Sequence, residues 1–174
     1  MANYKKKSNA QEKRVAKQIN GKPTIASGAL YFQKADVRND LWLVECKTTQ
    51  KSIYILKESI WNKIEKEAIK DGLRHPLMQI DLLDGEINLV VMNYFDFIGY
   101  DFDKEIFVQP PIQLVDHKSM ILSAEWLYPD ISTLDLKNKT YYTIKQIKFL
   151  LSQKHLVVMT LSDFLHLSDK YIER

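Results

Sequence analysis

Along the first half of the chain, apolar and polar residues alternate in short blocks, and each block carries the period of one kind of element. Val15, Ala16 and Ile19 fall on one helical face, and Glu12 joins them at i, i+3, i+4, i+7 spacing. This predicts a helix over about Ala10–Asn20, capped by Ser8-Asn9 and stopped at Gly21. Asn9 with Glu12 has the spacing of a capping box. Thr24–Ala26 begins a strand that Ser27-Gly28 interrupts, and Tyr31-Phe32-Gln33 resumes extended structure.

Next comes a predicted hairpin: strand Gln33–Val37, turn Arg38-Asn39-Asp40, strand Leu41–Thr48. Side chains alternate faces along a strand, so Leu43, Glu45 and Lys47 share one side and Trp42, Val44 and Cys46 the other. With Asn39-Asp40 as a two-residue loop, Asp36 lies opposite Leu43 and diagonal to Glu45. Such neighbours on one face are roughly 7–8 Å apart. The apolar surroundings of Glu45 and Lys47 mark a covered strand, where a charge needs a compensating partner.

Ile53-Tyr54-Ile55 is extended, and a helix is predicted over about Lys57–Asp71, closed by Gly72. Its stripe comprises Ile60, Ile64, Glu67, Ala68 and Leu73, with Trp61 adjoining. Strands Leu77–Leu82 and Ile87–Met92 flank the turn Asp84-Gly85. Beyond Gly99 the texture changes. Pro110-Pro111 precedes short extended pieces at Ile112–Val115 and Met120–Leu122, and a helix is expected over about Thr143–Gln153. LVVMTLSDFLHL, starting at Leu156, echoes LVVMNYFDFIGY, starting at Leu89. Each reads as a buried strand leading into a turn. A single local echo does not establish a duplicated domain, because no upstream acidic motif accompanies the second copy.

Length and composition narrow the class. A chain of 174 residues, 45% hydrophobic and 27% charged, buries one core and an appendage. No run approaches the roughly 20 apolar residues of a membrane span, so no membrane partner is expected. The single cysteine, Cys46, excludes a disulfide framework and a cysteine-based zinc cluster, and points to a reducing cytoplasm. Residues 1–70 hold 15 basic against 7 acidic side chains, net +8, and residues 71–174 hold 10 against 15, net −5. The basic half contains the candidate site, which suits a polyanion. No phosphate-binding loop, nucleophile elbow or dinucleotide fingerprint is present, so no nucleotide cofactor is expected. His75, His117, His155 and His166 show no ligand spacing.

Asp36 followed by Glu45-Cys46-Lys47 resembles the signature of the PD-(D/E)xK metal-dependent nucleases. With Glu12 on the N-terminal helix and Ser27-Gly28-Ala29 before the hairpin, residues 8–98 resemble the archaeal-type and phage Holliday junction resolvases. Ala35 stands where that family often has proline, and the segment after residue 100 has no counterpart in it. The resemblance implies an α/β fold with a central mixed sheet flanked by helices. Residues 1–99 would form a restriction-endonuclease-like core and residues 100–174 a C-terminal α/β extension packed on it or extending it. It further implies Mg2+, replaceable by Mn2+, held by Asp36, Glu45 and the Cys46 backbone carbonyl, with Glu12 joining directly or through water. Lys47 would stabilise the transition state. DNA would be held by Ser27, Gly28, Lys5, Lys6, Lys7, Lys34 and Lys51, and the protein, prokaryotic or viral, would act on branched DNA as a homodimer. A restriction- or repair-type endonuclease of the same fold and a non-catalytic DNA-binding protein are the alternatives. A second acidic-x-Lys triplet, Asp135-Leu136-Lys137 with Glu125 upstream, lacks an apolar strand before it and reads as a surface strand end.

Overall fold

A computed structural model describes residues 2–24, 35–100, 110–127 and 143–172, with side chains from Lys5 to Asp169 within those ranges. Five helices and ten strands follow one another in these residues. Eight strands build one mixed sheet in the order β1-β2-β3-β5-β6-β10-β9-β7. They are β1 Lys22–Pro23, β2 Val37–Arg38, β3 Trp42–Thr48, β5 His75–Leu82, β6 Ile87–Asn93, β7 Ile112–Val115, β9 Ile144–Phe149 and β10 His155–Thr160. β4 (Ile53–Lys57) and β8 (Ser119–Ser123) pair apart from it as a two-stranded ribbon.

The sheet's central strands are apolar on both faces, which only a sheet covered on both sides tolerates. Along β5, Leu77 belongs to one core cluster, and Met78, Ile80 and Leu82 to the other. The first cluster packs under α1 (Ala2–Gln18), α3 (Tyr94–Gly99) and α5 (Leu161–Ile172), through Val15, Ala16, Phe97 and Phe164. The second packs under α2 (Glu58–Lys70) and the ribbon, through Trp61, Ile64, Leu56 and Leu122. At the end of α2, Gly72 takes φ +91°, a conformation that costs glycine little.

Several expectations hold. β5, the turn at Leu83–Gly85 and β6 stand where predicted, as do α2, β7 and β8. Others are corrected. α1 begins at Ala2, so Lys5, Lys6 and Lys7 are helical and Ser8-Asn9 caps nothing. Instead of a capping box, the Ser8 hydroxyl donates to Glu12 Oε1 at 3.0 Å, one turn along the same helix. Leu73 is 76% exposed, because the chain has already left the helix at Asp71. Residues 144–149 form β9 rather than the expected helix. Ile144, Ile147 and Leu151 fit a helical period, but β9 is hydrogen-bonded on one edge to β10 and on the other to β7. Ile25, Ala26, Gln33 and Lys34 of the strands predicted over Thr24–Ala26 and Gln33–Val37 lie outside the described residues; of the rest, Val37 forms β2 together with Arg38 of the expected turn.

The LVVM echo is the visible part of a larger repeat. β6 and β10 pair antiparallel, with Val91 opposite Val158, Val90 opposite Met159 and Met92 opposite Val157. Outward from that seam the two sides match: β5 is antiparallel to β6 and parallel to β3, while β9 is antiparallel to β10 and parallel to β7. In the ribbon Ile55 faces Ile121, with the other pairs disposed evenly about them. Among the described residues a local two-fold axis therefore relates residues 46–57 to residues 112–123 and residues 77–100 to residues 144–167. The copies lie 67 positions apart over the second of these segments, as Gln79 to Gln146, Ile80 to Ile147, Asp96 to Asp163 and Phe97 to Phe164 show, and 66 apart over the first, as Ile55 to Ile121 shows. All four of the Gln and Ile residues are buried, as are both Phe.

Ile80→Ala and Ile147→Ala remove equivalent side chains from one continuous core. Each is expected to cost about 2–5 kcal/mol in urea unfolding, within a single transition. Two separated transitions would show that the halves fold independently.

Candidate functional site

The site is assembled at the carboxyl end of β3, beside the short strand β2. Asn39 shapes the turn between them. Its Oδ1 accepts the Leu41 and Trp42 N–H groups at 2.9 and 2.6 Å, and its own N–H donates to the Trp42 carbonyl. The register pairs Arg38 with Leu43 and Val37 with Val44, two residues on from a hairpin looped at Asn39-Asp40. The expected pairing of Asp36 with Leu43 is thus corrected by an even step.

The Asp36 N–H donates to the Val44 carbonyl at 3.1 Å, although Val37 is already the partner of Val44. Two consecutive residues facing one is the arrangement of a β-bulge, which re-aims a side chain. Asp36 Oδ2 consequently accepts the Cys46 N–H at 2.8 Å, at the rim of the sheet.

Glu45 and Lys47 lie on the α2 side of β3, following Leu43, which packs against Ala35 and Ala68. Lys47 Nζ donates to Glu45 Oε1 at 2.5 Å. Burial works against the Lys47 ammonium, but the hydrogen bond and charge of Glu45, aided by Asp36, hold its pKa above the ordinary lysine value. Lys47 is therefore a fixed cation rather than a proton acceptor. Burial, then the Glu45 carboxylate, push the Asp36 pKa up to about 6. The Cys46 N–H and Lys47 oppose that rise, and Glu12 adds to it. Cys46 points into the α1-side core with its thiol pushed well up by burial, as expected of an inert side chain.

Asp36, Glu45 and Lys47 are thus brought together. Glu12 stands at the margin: α1 covers the opposite face of the sheet, and the half-buried Glu12 acts through its charge on Asp36. Gln11, only 3% exposed, is the polar residue of α1 that faces inward. Its Nε2 donates to the Lys47 carbonyl at 2.9 Å and to Gln79 Oε1 at 2.6 Å. Gln79 Nε2 donates to Asp81 Oδ1, and Arg14 grips both Asp81 oxygens at 2.7 and 2.9 Å. This buried network ties the helix carrying Glu12 to the strand carrying Lys47. Gln11 sits on the apolar stripe one position before Glu12, but nothing in the pattern distinguishes it from a surface glutamine.

Of the cationic positions, Lys5 and Lys51 are exposed, whereas Lys7 pairs with Asp84 at 2.7 Å. The loop holding Lys51 is tied to the β5–β6 turn, since the Asp84 N–H donates to the Thr49 carbonyl. Ser27, Gly28, Lys34 and the rival triplet at Asp135 lie outside the described residues.

Among the described residues no three His, Cys, Asp or Glu side chains form a ready-made metal cage. The donor set is two carboxylates whose mutual repulsion is only partly offset by Lys47, and a divalent cation would relieve it. Hard oxygen donors few in number suit Mg2+, which keeps most of its waters and takes one or two carboxylates. The chain matches no protein-family model, no curated protein and no solved structure. Among the described residues no helix is long and apolar enough to cross a membrane.

Because folding raises the Asp36 pKa above its ordinary value of 3.8, the folded chain holds that proton more tightly than the unfolded chain. Stability should therefore fall as pH rises from about 4 to about 6, and the penalty is complete above that range. Asp36→Asn is expected to raise Tm at pH 7.5 and to lose that advantage by pH 4. An equal Tm gain at both pH values would contradict the assignment.

Proposed function

We propose that this chain is a Mg2+-dependent endonuclease that hydrolyses DNA phosphodiesters, with four-way junctions as its substrate. One observation carries the reading: Asp36 and Glu45 repel each other at a half-buried rim, with the fixed cation Lys47 beside them. Structural ion pairs are usually balanced, and this group has an acidic excess that calls for a bound cation. The basic first part of the chain favours a polyanionic substrate, and the choice of branched DNA follows from the resemblance alone.

In this reading Asp36 and Glu45, with the Cys46 carbonyl, hold the metal. Bound Mg2+, or Mn2+ in its place, would supply Lewis acidity and a more acidic water. Lys47 stabilises charge on the scissile phosphate. Glu12 orients water from the α1 side. The Gln11–Gln79 network holds the Lys47 backbone so that the ammonium stays on station. Lys5, Lys6 and Lys51 attract the phosphate backbone, while Lys7 is already neutralised by Asp84. The homodimer implied by the resemblance is not assigned to any surface of the described residues.

Labelled four-way, flap and linear duplex DNA incubated with protein and Mg2+ tests the reading. Cutting confined to the branched substrate is expected. Equal cutting of linear duplex would move the assignment to a restriction- or repair-type enzyme, and binding without cutting would make it a non-catalytic DNA-binding protein. Glu45→Gln should lower cleavage at least 100-fold, an order-of-magnitude figure for loss of a group that stabilises the transition state, while DNA binding stays intact. Near-normal cleavage by this variant would rule out the site. Replacing Lys5, Lys6 and Lys51 by Ala should lower the slope of log affinity against log salt by roughly 0.9 for each phosphate no longer neutralised. An unchanged slope would place the DNA elsewhere.

A further inference from the structure

The local two-fold puts a second copy of the site-bearing strand at the far end of the same sheet. β7 occupies the place of β3, each being parallel to its inner neighbour, β9 or β5. The registers fix the correspondence: Lys47 lies opposite Ile80 and Gln113 opposite its equivalent Ile147, so Lys47 corresponds to Gln113 and Glu45 to Pro111. Pro111 and Gln113 are exposed, so the second copy carries a proline and an uncharged amide where the first carries a carboxylate and an ammonium. The first copy is preceded by α1, β1 and β2, which bring Glu12 and Asp36. Among the described residues β7 has no such companions and ends the sheet. The live and blank positions lie five strand spacings apart, about 24 Å at roughly 4.8 Å each. Among the described residues this is a two-fold scaffold with chemistry at one end only.

We infer that a single chain is the working unit, a fused pseudo-dimer with one live half and one blank half, and that each binding event makes one incision. The inference rests on the nuclease reading for its chemistry but not for its architecture. The seam that a homodimer would place between subunits is already closed here by the pairing of β6 with β10. In each incision a water oxygen bonds to phosphorus, the bond from phosphorus to the 3′ oxygen breaks, and a proton ends on that oxygen. One live half permits one such exchange, leaving the opposite strand whole.

Two measurements on the full chain test this. Sedimentation equilibrium at micromolar concentration should return 20.4 kDa, the mass of one chain. A stable dimer would overturn the inference whether or not the protein cuts DNA. A supercoiled plasmid carrying an extruded four-way junction, at one chain per junction with Mg2+, should give nicked circles first. Linear product should follow only by a second binding event, with a rate that rises with protein concentration. Linear product formed without a nicked intermediate would overturn the inference. So would cleavage by Glu45→Gln above a few per cent of wild type, because the second half would then be live. If the wild type cuts nothing, the nuclease reading fails, and the mass alone decides the architecture: one chain supports it, two reject it.

Discussion

The seam between β6 and β10 is the constraint on which the rest of the molecule depends. Both strands read LVVM and both are buried on both faces, so neither could lie at an edge without exposing a row of apolar side chains and unpaired backbone groups. Their antiparallel pairing removes both liabilities at once. Every other strand of the large sheet is then placed by succession outward from this pair, and helices cover the two faces thus created. The site falls at the rim because only there does the apolar demand relax enough to admit carboxylates.

At that rim two opposite physical requirements meet. Burial and a neighbouring carboxylate make ionisation of Asp36 expensive, while the Cys46 N–H and the Lys47 ammonium partly support it. A bulge is what brings this conflict about, since a regular strand would have aimed the Asp36 side chain elsewhere. The cost is tolerable because the group is half-buried, and a functional site is where such cost is expected to persist. Gln11, Gln79, Asp81 and Arg14 form a neighbouring polar network beneath α1. Its bonds run between a helix and three positions on the sheet, so it fixes where α1 lies as much as it satisfies buried polar atoms.

Much of the candidate site was legible. The alternation of Leu43, Glu45 and Lys47 placed the acid and the amine on one face, and a register error of two residues did not disturb it, because an even slip preserves the face. Glu12 was legible as a carboxylate on a mostly apolar stripe, but the stripe's inward side belongs to Gln11. The period of a helix cannot separate neighbours near the edge of the buried arc, and only packing against Gln79 settles which of them turns inward. The segment at Ile144 reads as a helix because a short apolar run fits both periods, and its strand character comes from partners on either side.

By itself the sequence determined the element types of the first half, the face shared by Glu45 and Lys47, and the presence of one echoed strand. These are local properties, set by side-chain period and turn chemistry over a few residues. Only the tertiary structure decided the sheet order, the bulge that turns Asp36 toward Cys46, and the two-fold relation of the halves. Those depend on hydrogen bonds and packing between residues far apart in the chain. Most positions shared by the two halves keep only burial and strand direction, which different side chains satisfy equally well, so the repeat shows in the fold more plainly than in the letters.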